Sequence, residues 1–311
     1  MTGLLLDPGS CSEDTLPHWF CSFREVRRRR HLFLGGGGYK TLGFLGALQT
    51  LGWYSFKSIS GVSAGAILAL HLTLGYTMPE ICTSMSEHEL WLFDVVSLGR
   101  MRYGRAPICR DDLREMAEKL LTCRGLPSRT TLRQLSQWRG VCFGAVAFCL
   151  DTCQLEYFEA STHPDICVAD AVAASMAIPL IVSPVEIEVK GVMREYCDAG
   201  LVTSAPLAFF DAADTVALIV RLSDASPSVS FPETLFFRSF FLMRMSLERA
   251  TQRGMIVLQV PYPTPGVGVL MRHNTPVSTC MQVGALYAAL YVAKAEIAGA
   301  WVVMLSGPLG Q

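Results

Sequence analysis

Gly61-Val62-Ser63-Ala64-Gly65 sets a serine between two glycines, each two residues away. That spacing suits a nucleophile carried on a sharp turn from a strand into a helix, where bulk at either flank would clash. The helix that follows also brings its positive end near an oxyanion forming on an attacked carbonyl. A glycine-flanked turn with an N-cap serine has the same pattern, so the pentad alone leaves both readings open. A second signal is Gly35-Gly36-Gly37-Gly38-Tyr39-Lys40. Consecutive glycines let backbone N–H groups point into a cavity without side-chain interference. Gly36, Gly37 and Gly38 are therefore candidate oxyanion donors, or a phosphate cradle. No G-K-[ST] follows at P-loop spacing, and no acidic ribose partner for a dinucleotide is evident. Lys40 either supports this loop, attracts a phosphate head group or is a solvated helix lysine. The third signal is Asp198-Ala199-Gly200. A carboxylate at a strand end, facing the serine, can accept its proton without a histidine. Asp-x-Gly is also an ordinary turn.

Strands and helices must carry these turns. His31-Leu32-Phe33-Leu34 is a short apolar run stopped by the glycines and reads as a buried strand. Residues 39–51 fit a helix. Ser58-Ile59-Ser60 ends a second strand, and Ala64 to Leu74 fits a buried helix ended by Gly75. Asp111 and Asp112 are candidate caps for a helix running through Leu121. Residues 141–150 and 154–160 read as strands joined by a tight Asp151-Thr152 turn. Asp165 is a candidate cap for a helix ending at Ile178-Pro179. Residues 214–222 and 255–260 are further apolar strands, with a long helical pattern between them. The alternation argues an α/β fold with a mostly parallel sheet covered on both faces.

Composition narrows the function classes. Among 311 residues, 26 basic and 27 acidic side chains nearly cancel, which provides no field favouring nucleic acid. Charged residues make up only 17%, and mean hydropathy is +0.35. That suits either an enzyme working at a lipid surface or a tightly packed core. The 11 cysteines are odd in number and show no zinc-finger pairing. With no apolar run of signal-peptide length, they favour reduced thiols in an intracellular setting, cytoplasmic or peripheral to a membrane or lipid droplet. No carboxylate or histidine cluster has metal-ligand spacing, so neither metal nor cofactor is expected.

Residues 1–30 read as a basic tail ending in Arg24 and Arg27-Arg28-Arg29-Arg30, with Trp19 and Phe20 before the run. Contact with anionic lipid and simple solvation both fit. Residues 31–311 read as one catalytic domain. Phe236, Phe237, Phe240, Phe241, Leu242, Met243 and Met245 form either an interfacial helix or a core helix. The apolar stretch 283–305 is interrupted by Lys294 and Glu296 and reads as a C-terminal core helix rather than a membrane span.

Taken in order, these blocks resemble the patatin-like phospholipase family. Gly36-Gly37-Gly38-Tyr39-Lys40-Thr41 is similar to its G-G-G-x-[KR]-G loop, and Gly61 to Gly65 to its G-x-S-x-G elbow. Ala174-Ser175-Met176-Ala177-Ile178-Pro179 is similar to its A-S-x-A-x-P block, and Asp198-Ala199-Gly200 to its D-G-[GA]. Pro206 falls beyond at the expected place. The departures are Thr41 and Ala199, each where the family usually has glycine, and Thr203-Ser204-Ala205 where asparagines are frequent. The resemblance implies a three-layer α/β/α sandwich and a Ser63–Asp198 dyad. It implies oxyanion donors at Gly36 to Gly38, supported by Lys40, Gly61, Gly65 and Gly200, and no metal. The implied substrate is a lipid ester met at a membrane or lipid-droplet surface, with phospholipids and acylglycerols equally compatible. Two alternatives stand beside hydrolysis: acyl transfer to an acceptor other than water, and a catalytically silent binding protein that keeps the fold. A triad in the order Ser63, Asp198, His273 is a third possibility that the chain order allows.

Overall fold

A computed structural model of the chain describes Val26 and residues 28–51, 56–85, 106, 108–179, 181–203, 205–220, 253–260 and 277–290. His273, the aromatic cluster at 236–245, Ser204 and residues 291–305 lie outside these.

The first strand, β1 (His31–Leu34), leads through the glycine loop into a 3-10 turn (Gly38–Leu42) and helix α1 (Gly43–Leu51). A continuous helix from 39 was expected. Gly38 instead adopts a left-handed φ of 56° and accepts the Thr41 hydroxyl on its carbonyl, at 2.9 Å. That tightens the first turn before regular α-helix begins. Strand β2 (Ser58–Val62) feeds helix α2 (Ala64–Thr73), which is buried around its whole circumference. Helices α3 (Arg110–Cys123) and α4 (Leu132–Arg139) precede the hairpin of β3 (Cys142–Cys149) and β4 (Gln154–Glu159). Asp112 closes a capping box onto the Cys109 amide, as its place in the first turn suggested.

Helix α5 (Val168–Met176) starts later than expected, after Cys167 rather than Asp165. The carbonyls of Pro164 and Ile166 accept from Arg133 and Leu132, holding the turn at 164–166 against the start of α4. Asp165 is drawn off to Arg133, 3.0 Å away. A second hairpin, β5 (Val185–Val189) and β6 (Val192–Asp198), was not anticipated apart from its last residue. Strands β7 (Thr215–Val220) and β8 (Ile256–Val260) complete the sheet.

The strands form one mixed eight-stranded sheet in the order β5-β6-β3-β2-β1-β7-β8, with β4 also on β3. It is parallel from β8 to β3 and antiparallel beyond. Helices flank it, giving the α/β fold. The larger apolar cluster joins α1, α2, α3 and α5 to one face, through residues such as Phe44, Leu68, Leu120 and Val172. Phe33, Val62, Val146, Ala199 and Phe210 build a smaller cluster. No helix among the described residues is long and apolar enough to cross a membrane.

One detail of the register matters most. β4 occupies one edge of β3 from Gly144 to Cys149. The other edge is shared. β2 covers Cys142 to Val146, and β6 runs down to cover Ala147 to Cys149. Val62 thus sits opposite Val146, and Asp198 opposite Ala147, the next residue along. Two strands of opposite direction end head to head on one edge.

Candidate active site

Ser63 follows Val62, and Asp198 is the last residue of β6, so the shared edge of β3 delivers both to one point. Ser63 Oγ donates to Asp198 Oδ2 at 2.6 Å. The other carboxylate oxygen, Oδ1, accepts from the Gly200 amide at 2.7 Å. Asp198 is 3% exposed. Burial pushes its carboxyl from the ordinary 3.8 up to about 6, against the opposite pull of the hydrogen bonds from Ser63 and Gly200. A carboxyl raised this way is mostly ionised at neutral pH and could both take up and return a proton there.

Ser63 has φ 55° and ψ −130°, a conformation that costs a non-glycine residue on the order of 1–3 kcal/mol and persists only where neighbours enforce it. The flanking glycines permit the turn. A Cβ on Gly61 would lie 2.2 Å from the Gly65 carbonyl oxygen, and one on Gly65 would lie 2.2 Å from that of Leu34. Gly65 therefore rests directly on the end of β1, where the glycine loop begins. In that loop the Gly35 amide is spent on Leu218 O. The amides of Gly36, Gly37 and Gly38 have no acceptor among the described residues. Gly37, at φ 157°, packs so closely on Val220 that a Cβ would meet its Cγ2 at 2.6 Å. Lys40 closes the 3-10 turn with its amide on Gly37 O, and partial burial lowers the pKa of its ammonium.

Two of the three departures from the family pattern, Thr41 and Ala199, fit without strain. Thr41 is buried and ties its hydroxyl to the loop. Ala199 needs no positive φ, and its methyl group lies in the smaller apolar cluster. Gly200 has no positive φ either, and a Cβ there would sit in tight contact with Asp198 Oδ1, at 3.0 Å.

Of the described histidines, two are hydrogen-bonded elsewhere and the third is packed on a ring. His71 bonds to Ile67 O and Ser84, His163 to Glu156 and Thr162, and His31 lies 4.7 Å from the Phe210 ring centroid. No group of three or more His, Cys, Asp or Glu among the described residues is arranged to hold a metal. The arginine run is partly absorbed by the fold. The Arg29 guanidinium donates to the carbonyls of Ala212, Ala213 and Gly254, and Arg30 pairs with Asp214 at 2.8 Å.

Sequence reasoning missed what holds the site from behind. The Ser63 amide donates to Ser175 Oγ, and the Asp198 amide to Ala177 O. Both acceptors belong to the Ala174–Pro179 block, whose pattern was visible without a role attached.

Comparison with known proteins finds a family model, a curated relative and solved structures. The family model described as patatin-like phospholipase matches residues 32–211. A curated relative, the probable lipid hydrolase 463L of Invertebrate iridescent virus 6, is 25% identical over 182 residues, covering 57% of this chain and 61% of the relative. The chain thus spans about three fifths of that relative's length. Among solved structures, VipD from Legionella pneumophila has a TM-score of 0.51 at 15% identity, over 86% of this chain and 67% of VipD; this is a likeness of fold. ExoU of Pseudomonas aeruginosa, in its complex with SpcU, gives a TM-score of 0.47 at 19% identity, over 86% of this chain and 52% of that one.

Proposed function

The chain belongs to the patatin-like phospholipase family, and from that premise we propose that it hydrolyses carboxylic esters of lipids through an acyl-serine intermediate. The observation that carries the reading is the 2.6 Å contact between Ser63 Oγ and Asp198 Oδ2. Asp198 accepts the Ser63 proton as Oγ attacks the ester carbonyl. The carbonyl oxygen becomes an oxyanion, stabilised by amides of Gly36, Gly37 and Gly38, each donor contributing on the order of 3 kcal/mol. The tetrahedral intermediate collapses. The C–O bond to the alcohol breaks, and Asp198 returns its proton to the departing oxygen. Water then attacks the acyl-serine, with Asp198 again as base, and releases the fatty acid and free Ser63. Every proton passes through Asp198, so the cycle needs no histidine. The proposed substrate is a phospholipid or acylglycerol met at a membrane or lipid-droplet surface.

The test pairs the purified chain with Ser63→Ala. Wild type should react with a fluorophosphonate probe and release fatty acid from phosphatidylcholine vesicles or a triacylglycerol emulsion. Ser63→Ala should do neither. A folded wild-type chain inert to both probe and lipids would overturn the reading in favour of a silent binding protein.

A further inference from the structure

Ser175 lies at the end of α5, fully buried, with its hydroxyl between two strands. The Ser63 amide lies 3.0 Å from Ser175 Oγ, and Ser175 Oγ lies 2.7 Å from Val146 O. An amide only donates and a carbonyl only accepts, so the direction of both bonds is fixed. Ser175 accepts from Ser63 and gives its single proton to Val146. We propose that Ser175 is a positioning residue for the nucleophile, holding the strained backbone of Ser63 in the orientation that aims Oγ at Asp198. This inference rests on the hydrolase reading above.

Three observations support it. First, Ser63 is one of three non-glycine residues with positive φ among the described residues. Cys153 and Lys190, the other two, sit in hairpin turns. Ser63 is followed by a helix that does not itself need that φ, so an outside restraint must enforce it. Second, the Val146 end of the bridge is the residue of β3 opposite Val62, one step from the residue opposite Asp198. The hydroxyl thus ties the elbow to the rail on which the base is mounted. Third, the same turn takes the Asp198 amide onto Ala177 O at 2.9 Å. Two residues apart, α5 restrains the backbone of the nucleophile and that of the base. A consequence for the chemistry follows. With its N–H committed to Ser175, Ser63 has no amide to offer the oxyanion, and the donors must come from the glycine loop.

The experiment compares wild type, Ser175→Ala and Ser175→Cys on a soluble short-chain ester, with fluorophosphonate labelling rates and thermal melts alongside. Ser175→Ala should lose about 10- to 100-fold in kcat, since small displacements of a reacting atom carry penalties of that order. KM should stay within about twofold, and the labelling rate should fall in parallel with kcat. Ser175→Cys keeps a donor and acceptor of similar size and should recover part of the loss. The acidic limb of the pH profile should not move, because Ser175 does not touch the Asp198 carboxylate. If Ser175→Ala melts too low for the turnover assay, its labelling rate is read beside wild type well below its melting temperature: a rate equal to wild type refutes the proposal, and a reduced rate supports it. An active wild type with unchanged kcat in Ser175→Ala, or a loss confined to KM, overturns the positioning role. A wild type that neither turns over nor labels overturns the hydrolase reading itself.

Discussion

Replacing Asp198 with Asn should abolish ester hydrolysis and, near neutral pH, make the protein more stable. Burial raises the carboxyl from 3.8 to about 6. Ionising it in the folded chain is therefore harder than in the unfolded chain, by about 3 kcal/mol. The sign follows from proton counts. Between about pH 4 and pH 6 the folded state holds more of this proton than the unfolded state, so stability falls as pH rises through that window. Asparagine has no charge to desolvate. It keeps an oxygen for the Gly200 amide and offers a donor to Ser63 Oγ. Its advantage over Asp should be absent below about pH 4 and grow to about 3 kcal/mol by about pH 7, or roughly 5 °C in Tm. Urea unfolding of both proteins across that range measures it, with equal slopes showing that the unfolded states match. A stability difference that stays flat with pH, or favours Asp198 at neutral pH, would refute the reasoning. Near-wild-type turnover by the variant would separately remove Asp198 from its role as base.

Other expectations rest on the same geometry. The kcat/KM profile on a soluble ester should rise with pH through a midpoint near 6, where burial sets the Asp198 carboxyl; a midpoint near 4 would mean the base is solvated during catalysis. Gly65→Ala would force a Cβ to within 2.2 Å of Leu34 O, so it should lower stability by about 3 kcal/mol and suppress fluorophosphonate labelling, both readable on one preparation. His273→Ala and EDTA should each leave short-chain ester hydrolysis close to wild type, because in the proposed cycle Ser63 hands its proton to Asp198 directly. A loss of several powers of ten in the variant would indicate a triad, and a calcium-reversible loss with EDTA would indicate a metal.

Much of this site can be read from residue types, because glycine and turn chemistry act locally. The four glycines after Phe33-Leu34 and the pair flanking Ser63 mark strand ends whether or not anything packs nearby. The β3–β4 hairpin is equally local, with two apolar runs around Asp151-Thr152. Val185-Glu186-Ile187-Glu188-Val189 also carries a readable strand alternation before the Lys190-Gly191 turn, though a reading focused on Asp198 passes over it. What residue types do not convey is register. Nothing in the composition of β3 says that Val146 faces one strand and Ala147 another, and that single step brings Ser63 to Asp198. Ser175 is hidden for the same reason, since a serine in the last turn of a helix is unremarkable until its partners on two other elements are known. The start of α5 is misjudged from Asp165 because the competing pull comes from Arg133, 32 residues away.

The shared edge of β3 also has a bearing on how copies of the chain meet one another. The β5–β6 hairpin closes through local contacts, within about 10 μs by the usual rates for hairpins. Its docking pairs Asp198 with Ala147 of β3 and brings it to Ser63, 135 residues away, and falls among the slow, non-local steps of folding. Until it docks, the edge of β3 from Ala147 to Cys149 stands unpaired beyond the end of β2. An open strand edge in an apolar chain is a template for pairing with any other strand. The place where one chain brings Ser63 to Asp198 is thus also where two incompletely folded chains would adhere. Serine reactivity and freedom from aggregation should appear in the same kinetic phase on refolding.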